Sequence, residues 1–245
     1  MNWLLIFLLT CAGDRSQAMD NPGNKILMSQ PANDTLNPQA QQNIDELKFN
    51  KKIPHVIEAS VLKALSYYPE LRNTRISFIF RKNIKGSVMQ AQPLFTSLLR
   101  KRTKRSYRIN ISSMFRLTHT VTPIHQLPED IMVGWIGHEL GHIMDYESRS
   151  NRGLVAFGYH YLRSGSYVKR VEVIADTYAV NHGLGKYIIA TKRFILEHAE
   201  LPQAYKDKIA RLYLSPDDIV EQVRKLEELK LKEQQEAAKL KDTVK

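Results

Sequence analysis

From Ile53 onward apolar residues recur at helical spacing, with Ile57, Val61, Leu62 and Leu65 following a Pro54 that suits a first helical turn. The period then changes to two. Arg75 to Phe80 reads as a short strand, and in Tyr107 to Ser112 the residues Tyr107, Ile109 and Ile111 alternate with Arg108, Asn110 and Ser112. Such alternation predicts strands with one face on a core and one in water. A helix is predicted from about Pro128-Glu129-Asp130, where acids occupy a first turn, through Asp145 or a little beyond. A second helix is predicted from Tyr167 to His182, stopped by Gly183 and Gly185. Further helices fit 186–199 and 203–213. Ser215-Pro216-Asp217-Asp218 starts a last one, whose Val220, Val223, Leu226, Leu229 and Leu231 run among dense mixed charges to about Leu240. That stripe suits either a packed helix or a short coiled-coil arm.

Before this ordered stretch, residues 12 to about 44 are rich in Asn, Gln, Pro, Ser and Asp and have no periodicity. They cannot bury enough apolar surface to offset their ordering entropy, so they read as a flexible tether. The expected class is α+β: a mostly helical domain over 51–214 with a small β-sheet beside the helix at 128–145. A tether over 12–50 precedes it and a charged helix over 215–245 follows.

Composition changes this picture little, since 43% of residues are hydrophobic and 25% charged, which is ordinary for a globular domain. No apolar run approaches the roughly 18 to 20 residues that a membrane-spanning helix needs. The longest, Trp3 to Leu9, stops just before the sole cysteine in LLTCAGDRSQ. A hydrophobic run ending in a lone Cys resembles a bacterial lipoprotein signal over residues 1–11, in which Cys11 becomes the lipidated first residue of the mature protein. An ordinary cleaved secretion signal or a plain apolar N-terminus would share these features. The expected location is the bacterial cell envelope, lipid-anchored or secreted into the periplasm, and one cysteine cannot form a disulfide within the chain.

The formal charge of +11 is uneven. The C-terminal helix is nearly neutral, and the excess peaks in Arg100-Lys101-Arg102-Thr103-Lys104-Arg105-Ser106-Tyr107-Arg108. This segment is either a patch for an anionic partner or a solvated basic loop. Without interleaved aromatics or a recognised motif, it predicts no nucleic-acid partner.

The chemistry lies in GWIGHELGHIMD, residues 134–145. Residues four apart share a helix face, so His138 and His142 can each aim a ring nitrogen at one metal ion. Glu139, one residue round, can reach a water beside that ion without ligating it, as a general base must. Two histidines on so apolar a helix would be costly to bury unless satisfied. A metzincin would continue with Gly and His where this chain has Asp145 and Ser148, which excludes that class. A gluzincin takes its third ligand from E-x-x-A-D on a later helix, and Glu172-Val173-Ile174-Ala175-Asp176 matches. Glu172 would then bind the metal while Asp176 accepts a hydrogen bond from the far nitrogen of a ligating histidine. Asp145, His160 and His182 are rival ligands.

Together with the strand just upstream, HELGH and E-x-x-A-D resemble the gluzincin metallopeptidases of the CAAX-prenyl-protease and HtpX type, in a short form without their membrane helices. The resemblance covers about Tyr107 to Ile189. It implies a zincin-like domain, one Zn2+ per chain on His138, His142 and Glu172, Glu139 as catalytic base, and a peptide or protein substrate. It also implies that the strand at Tyr107, Ile109 and Ile111 lends its edge to that peptide. Candidates for an oxyanion donor are His160, Tyr161, Tyr167 and His182.

Overall fold

Strands at Lys51–Lys52 (β1), Arg75–Arg81 (β2), Met89–Pro93 (β3) and Ser106–Ser112 (β4) form one sheet in the order β1-β2-β4-β3. The description is of a computed structural model and covers residues 38–82, 84, 87–98, 101–117, 119–198 and 200–243. Cys11, the Trp3–Leu9 run, residues 12–37 and Arg100 lie outside it. The first three strands in that order are parallel and β3 is antiparallel to β4, with Met89 opposite Ile111 and Ala91 opposite Ile109. Tyr107, Ile109 and Ile111 are buried, as the alternation predicted, and so are Ile76, Phe78, Met89 and Ala91. The opposite face is less wet than expected, because Asn110 and Ser112 are also buried; Asn110 accepts from Arg81 Nε at 3.0 Å. A separate two-stranded sheet pairs Met114–Arg116 (β5) with Val121–Pro123 (β6).

The helices are Pro38–Lys48 (α1), Glu58–Leu65 (α2), Phe95–Leu98 (α3), Glu129–Ser148 (α4), Asn151–Arg163 (α5), Gly165–Asn181 (α6), Gly185–Glu197 (α7), Gln203–Leu212 (α8) and Pro216–Thr243 (α9). The fold is thus α+β and mostly helical. None of these helices is long and apolar enough to cross a membrane.

α4 is the centre of the molecule. It is apolar nearly all round, and a helix of that kind must be covered on every side. It is, by α2, α6, α7 and β3. Two glycines permit the closest approaches. A methyl group on Gly141 would lie 2.4 Å from the Ala175 carbonyl oxygen of α6, and one on Gly134 the same distance from the Tyr187 carbonyl oxygen of α7. α6 ends where its glycine was expected: Gly183 has φ +88°, with Gly183 N–H on Val180 O and Leu184 N–H on Ala179 O.

Two expectations are corrected, and a choice between two readings of the last helix is decided. Residues 38–48 of the expected tether are helix α1, held by Leu47 on the core and by ion pairs Lys48–Glu58 (2.6 Å) and Arg72–Glu46 (3.1 Å). Of the two readings of the last helix the packed one holds, since Ile219 is buried, Val223 packs on the core and α9 contacts α6 and α7. Finally, β4 is an inner strand flanked by β2 and β3, so Tyr107, Ile109 and Ile111 have no edge to offer. The free edge beside α4 belongs to β3.

Candidate metal centre

α4 and α6 pack side by side and bring His138, His142 and Glu172 together, all buried. Ser164 sets the start of α6 by capping, its hydroxyl accepting from Tyr167 N–H at 3.2 Å. Glu172 Oε2 lies 3.1 Å from His138 Nε2 and 3.4 Å from His142 Nε2. In tetrahedral sites with metal–ligand distances near 2.0–2.1 Å, neighbouring donor atoms stand about 3.3 Å apart. The two distances from Glu172 therefore match that spacing, and all three donor atoms lie within 4.8 Å of one another.

Behind them lies a chain of supports. Asp176 Oδ1 is 2.8 Å from His138 Nδ1, and Lys192 Nζ on α7 donates to Asp176 Oδ2 at 2.9 Å. With a metal bound, a proton kept on His138 Nδ1 by Asp176 would leave the Nε2 lone pair for the shared centre. Burial opposes ionisation of Asp176, but Lys192 and His138 hold its carboxyl below the usual range. Burial likewise opposes charge on His138, yet Asp176 and Glu172 pull its pKa up to about 10. Glu172, also disfavoured by burial, is held well below the usual carboxylate range by the two histidines.

The charge inventory bears on what fits. Glu139, Glu172 and Asp176 are three buried carboxylates, and Lys192, 5% exposed, is the one buried lysine among the described residues. A divalent cation on neutral histidines would bring this group to zero, which is the condition a low-dielectric interior favours. Geometry and charge both fit a divalent ion.

Glu139, next to His138 on α4, lines the same cavity as that histidine and also meets the sheet. Its Oε2 accepts from the Ala91 N–H of β3 at 2.5 Å, and Tyr146 Oη donates to the Ala91 carbonyl at 3.3 Å. The outward-facing backbone groups in the middle of the free edge are thus held by the helix that carries the histidines. Burial raises the Glu139 carboxyl above its ordinary value, partly offset by the two histidines and the Ala91 N–H. Tyr205, Ile209 and Tyr213 from α8 and its end close the adjoining cavity, with the Tyr213 ring 5.4 Å from that of His138.

Among the rivals, Asp145 forms a two-pronged pair with Arg149 (2.9 and 3.0 Å). His182 Nδ1 meets Tyr178 O and its Nε2 meets Glu70, away from the centre. His160 is exposed and lies against Tyr167. Of the four candidate donors only Tyr161 reaches the site, its Oη donating to Glu172 Oε1 at 3.4 Å.

Sequence reasoning missed Lys192, Ala91, Tyr146 and Tyr213. Lys192 had a signal: it sits between Ile188 and Ile195 at i, i+4 and i+7, a cation on an otherwise apolar helix face. Ala91 had none, because it contributes backbone. No protein-family model, curated protein or solved structure matches this chain.

Proposed function

We propose that the protein is a zinc-dependent metalloendopeptidase of the gluzincin kind. The observation that carries this reading is the convergence of His138, His142 and Glu172 on one centre, with a buried Glu139 beside them on a strand edge. The resemblance of HELGH and E-x-x-A-D to the CAAX-prenyl-protease and HtpX type supports it.

Bound by these three residues, zinc would supply a Lewis acid that polarises the scissile carbonyl and lowers the pKa of water. Glu139 takes the proton from the attacking water and returns it to the departing amine. Its burial suits both halves of that task, since a raised carboxyl pKa makes a base that can also give the proton back. Asp176 and Lys192 keep His138 in one tautomer and orientation. Tyr161, whose phenol burial keeps protonated and whose Oη reaches Glu172, would be the donor to the developing oxyanion. The substrate would lie along β3 as an added strand, displacing Tyr146 and Glu139 from the Ala91 backbone.

One observation favours a second reading, a metal-binding module without turnover. His138, Glu139, His142 and Glu172 are each no more than 7% exposed, and Tyr205 and Tyr213 lie across the approach. On that reading the metal holds the fold.

Peptide-library cleavage with and without a zinc chelator, run beside metal analysis, separates the two. The peptidase reading expects one zinc per chain, chelator-sensitive cleavage, and a Glu139→Gln variant that keeps zinc and loses cleavage. Zinc without cleavage in the wild-type chain would overturn it in favour of the module, and a chain that takes up no zinc would overturn both.

A further inference from the structure

Two segments whose outward faces the metal centre does not use adjoin through a bond between Arg105 and Asn151 and form one surface. α5 contains no Asp or Glu; its outward face carries Arg152, Val155, Ala156, Tyr159 and Arg163, at the spacing of a single helix face. Val155 is 64% exposed and Tyr159 56%, with Leu162 beside them at 40%. The inner face is spent on packing, Phe157 lying 5.3 Å from the Tyr146 ring and Tyr161 on Glu172. The outer stripe therefore exists in addition to the contacts that hold the helix in place.

The second segment is the basic stretch at 101–105. Arg105 is buried and cannot serve a partner: its Nη1 donates to Tyr146 O at 3.0 Å, and its Nε and Nη2 bond Asn151 Oδ1 at 2.9 and 2.5 Å. Asn151 in turn donates to Leu98 O at 2.7 Å. This bridge ties the start of α5 to the end of α3, one turn from Phe95, which is 55% exposed. Lys101, Arg102 and Lys104 are exposed beside it, Arg102 lying 3.9 Å from Glu147. Among the described residues Lys101, Lys104, Arg152 and Arg163 make no ion pair. Arg163 instead lies 5.5 Å over the Tyr159 ring.

We propose that this surface docks the domain on an anionic phospholipid bilayer, with Val155, Tyr159 and Leu162 entering the headgroup region and the Arg and Lys residues meeting lipid phosphates. A helix with apolar side chains between cations, and an amphipathic ring among them, is the pattern that lies in a membrane interface. The aliphatic members decide against nucleic acid, for which Val155 and Leu162 offer neither charge nor a stacking plane. A surface with no acid on its helix and several unpaired cations is complementary to anionic headgroups, each Lys or Arg near such a leaflet adding to the attraction. Because the inner side of α5 touches Glu172, docking there would set the metal centre against the membrane. The inference does not depend on peptidase activity.

The test uses the full chain and co-sedimentation with two vesicle types, pure phosphatidylcholine and phosphatidylcholine containing about one third phosphatidylglycerol. The expected result is preferential binding to the anionic vesicles that weakens as salt is raised. Arg152→Glu with Arg163→Glu should lower that binding by about tenfold or more. A variant with Val155→Ser, Tyr159→Ser and Leu162→Ser should lower it too, and both should keep wild-type metal content, which shows that the fold survives. Since the first 37 residues are common to all variants, unchanged binding in both would overturn the proposal. Loss in the charge variant alone, with single-stranded oligonucleotide displacing the vesicles, would overturn it in favour of a nucleic-acid surface.

Discussion

Lys192 Nζ lies 2.9 Å from Asp176 Oδ2, and Asp176 has no solvent exposure at all. Removing one partner of such a pair leaves a carboxylate in a medium that cannot solvate it. Lys192→Met is expected to cost about 3 to 5 kcal/mol of stability, measured by denaturant unfolding. Adding Asp176→Asn should recover part of that loss, because the two effects share one interaction. Additive losses would mean that the lysine and the aspartate do not act together.

Metal removal should be visible in stability as well as in activity. An ion that binds only the folded chain adds about 2.7 kcal/mol when its free concentration is a hundredfold above Kd. Chelation should therefore lower the thermal midpoint of the wild-type protein. It should leave Glu172→Ala unchanged, since that variant lacks the residue that joins α6 to the centre. An equal shift in both would place the metal elsewhere.

The Ala91 N–H that faces Glu139 is on the free edge of β3 and makes no ladder hydrogen bond. Proline can replace such a residue without loss to the sheet. Ala91→Pro is expected to reduce turnover by at least about tenfold while metal content holds, since a substrate strand added along β3 loses the N–H that Glu139 would yield to it. Peptide turnover and metal analysis on the same preparation decide it, and undiminished turnover would show the contact to be idle.

The contact between α4 and α6 depends on a missing side chain. Gly141→Ala would place a methyl group 2.4 Å from a backbone oxygen and force the helices apart. A loss of about 1 to 3 kcal/mol is expected, with weaker metal binding because Glu172 moves with α6. Gly165→Ala, with nothing within 4 Å of the added carbon, is the control and should stay within about 0.5 kcal/mol of wild type. Denaturation midpoints and metal titration of the two variants test the difference.

What could be read in the chain follows from how each element is held. β2 and β4 were legible because one-sided burial imposes a period, and α4 and α6, which carry the two halves of the donor set, because acids mark the start of the one and glycines the end of the other. β3, with the sequence MQAQP, alternates but is only five residues long and has no β-branched residue; it is a strand because β4 and α4 hold its two sides. α5 was missed for a related reason, since its apolar residues face both inward and outward and blur the helical stripe. Misplacing the sheet edge came from the same gap: without β3, β4 is the natural edge. Lys192 was legible in principle, as the one charge on a buried face, and Arg105 was hidden among basic neighbours that are exposed where it is not.

The donors on α4 and the donor on α6 are separated by 30 residues, from His142 to Glu172, and the sequence has a single cysteine. A bound ion would therefore act as the cross-link that no disulfide in this chain can provide. By the loop-entropy relation, closing a loop of that length is worth about 3.5 kcal/mol against the unfolded chain. That share of stability would be on loan from the surroundings. The survival of the protein, and not only its chemistry, would then follow the supply of metal where it works.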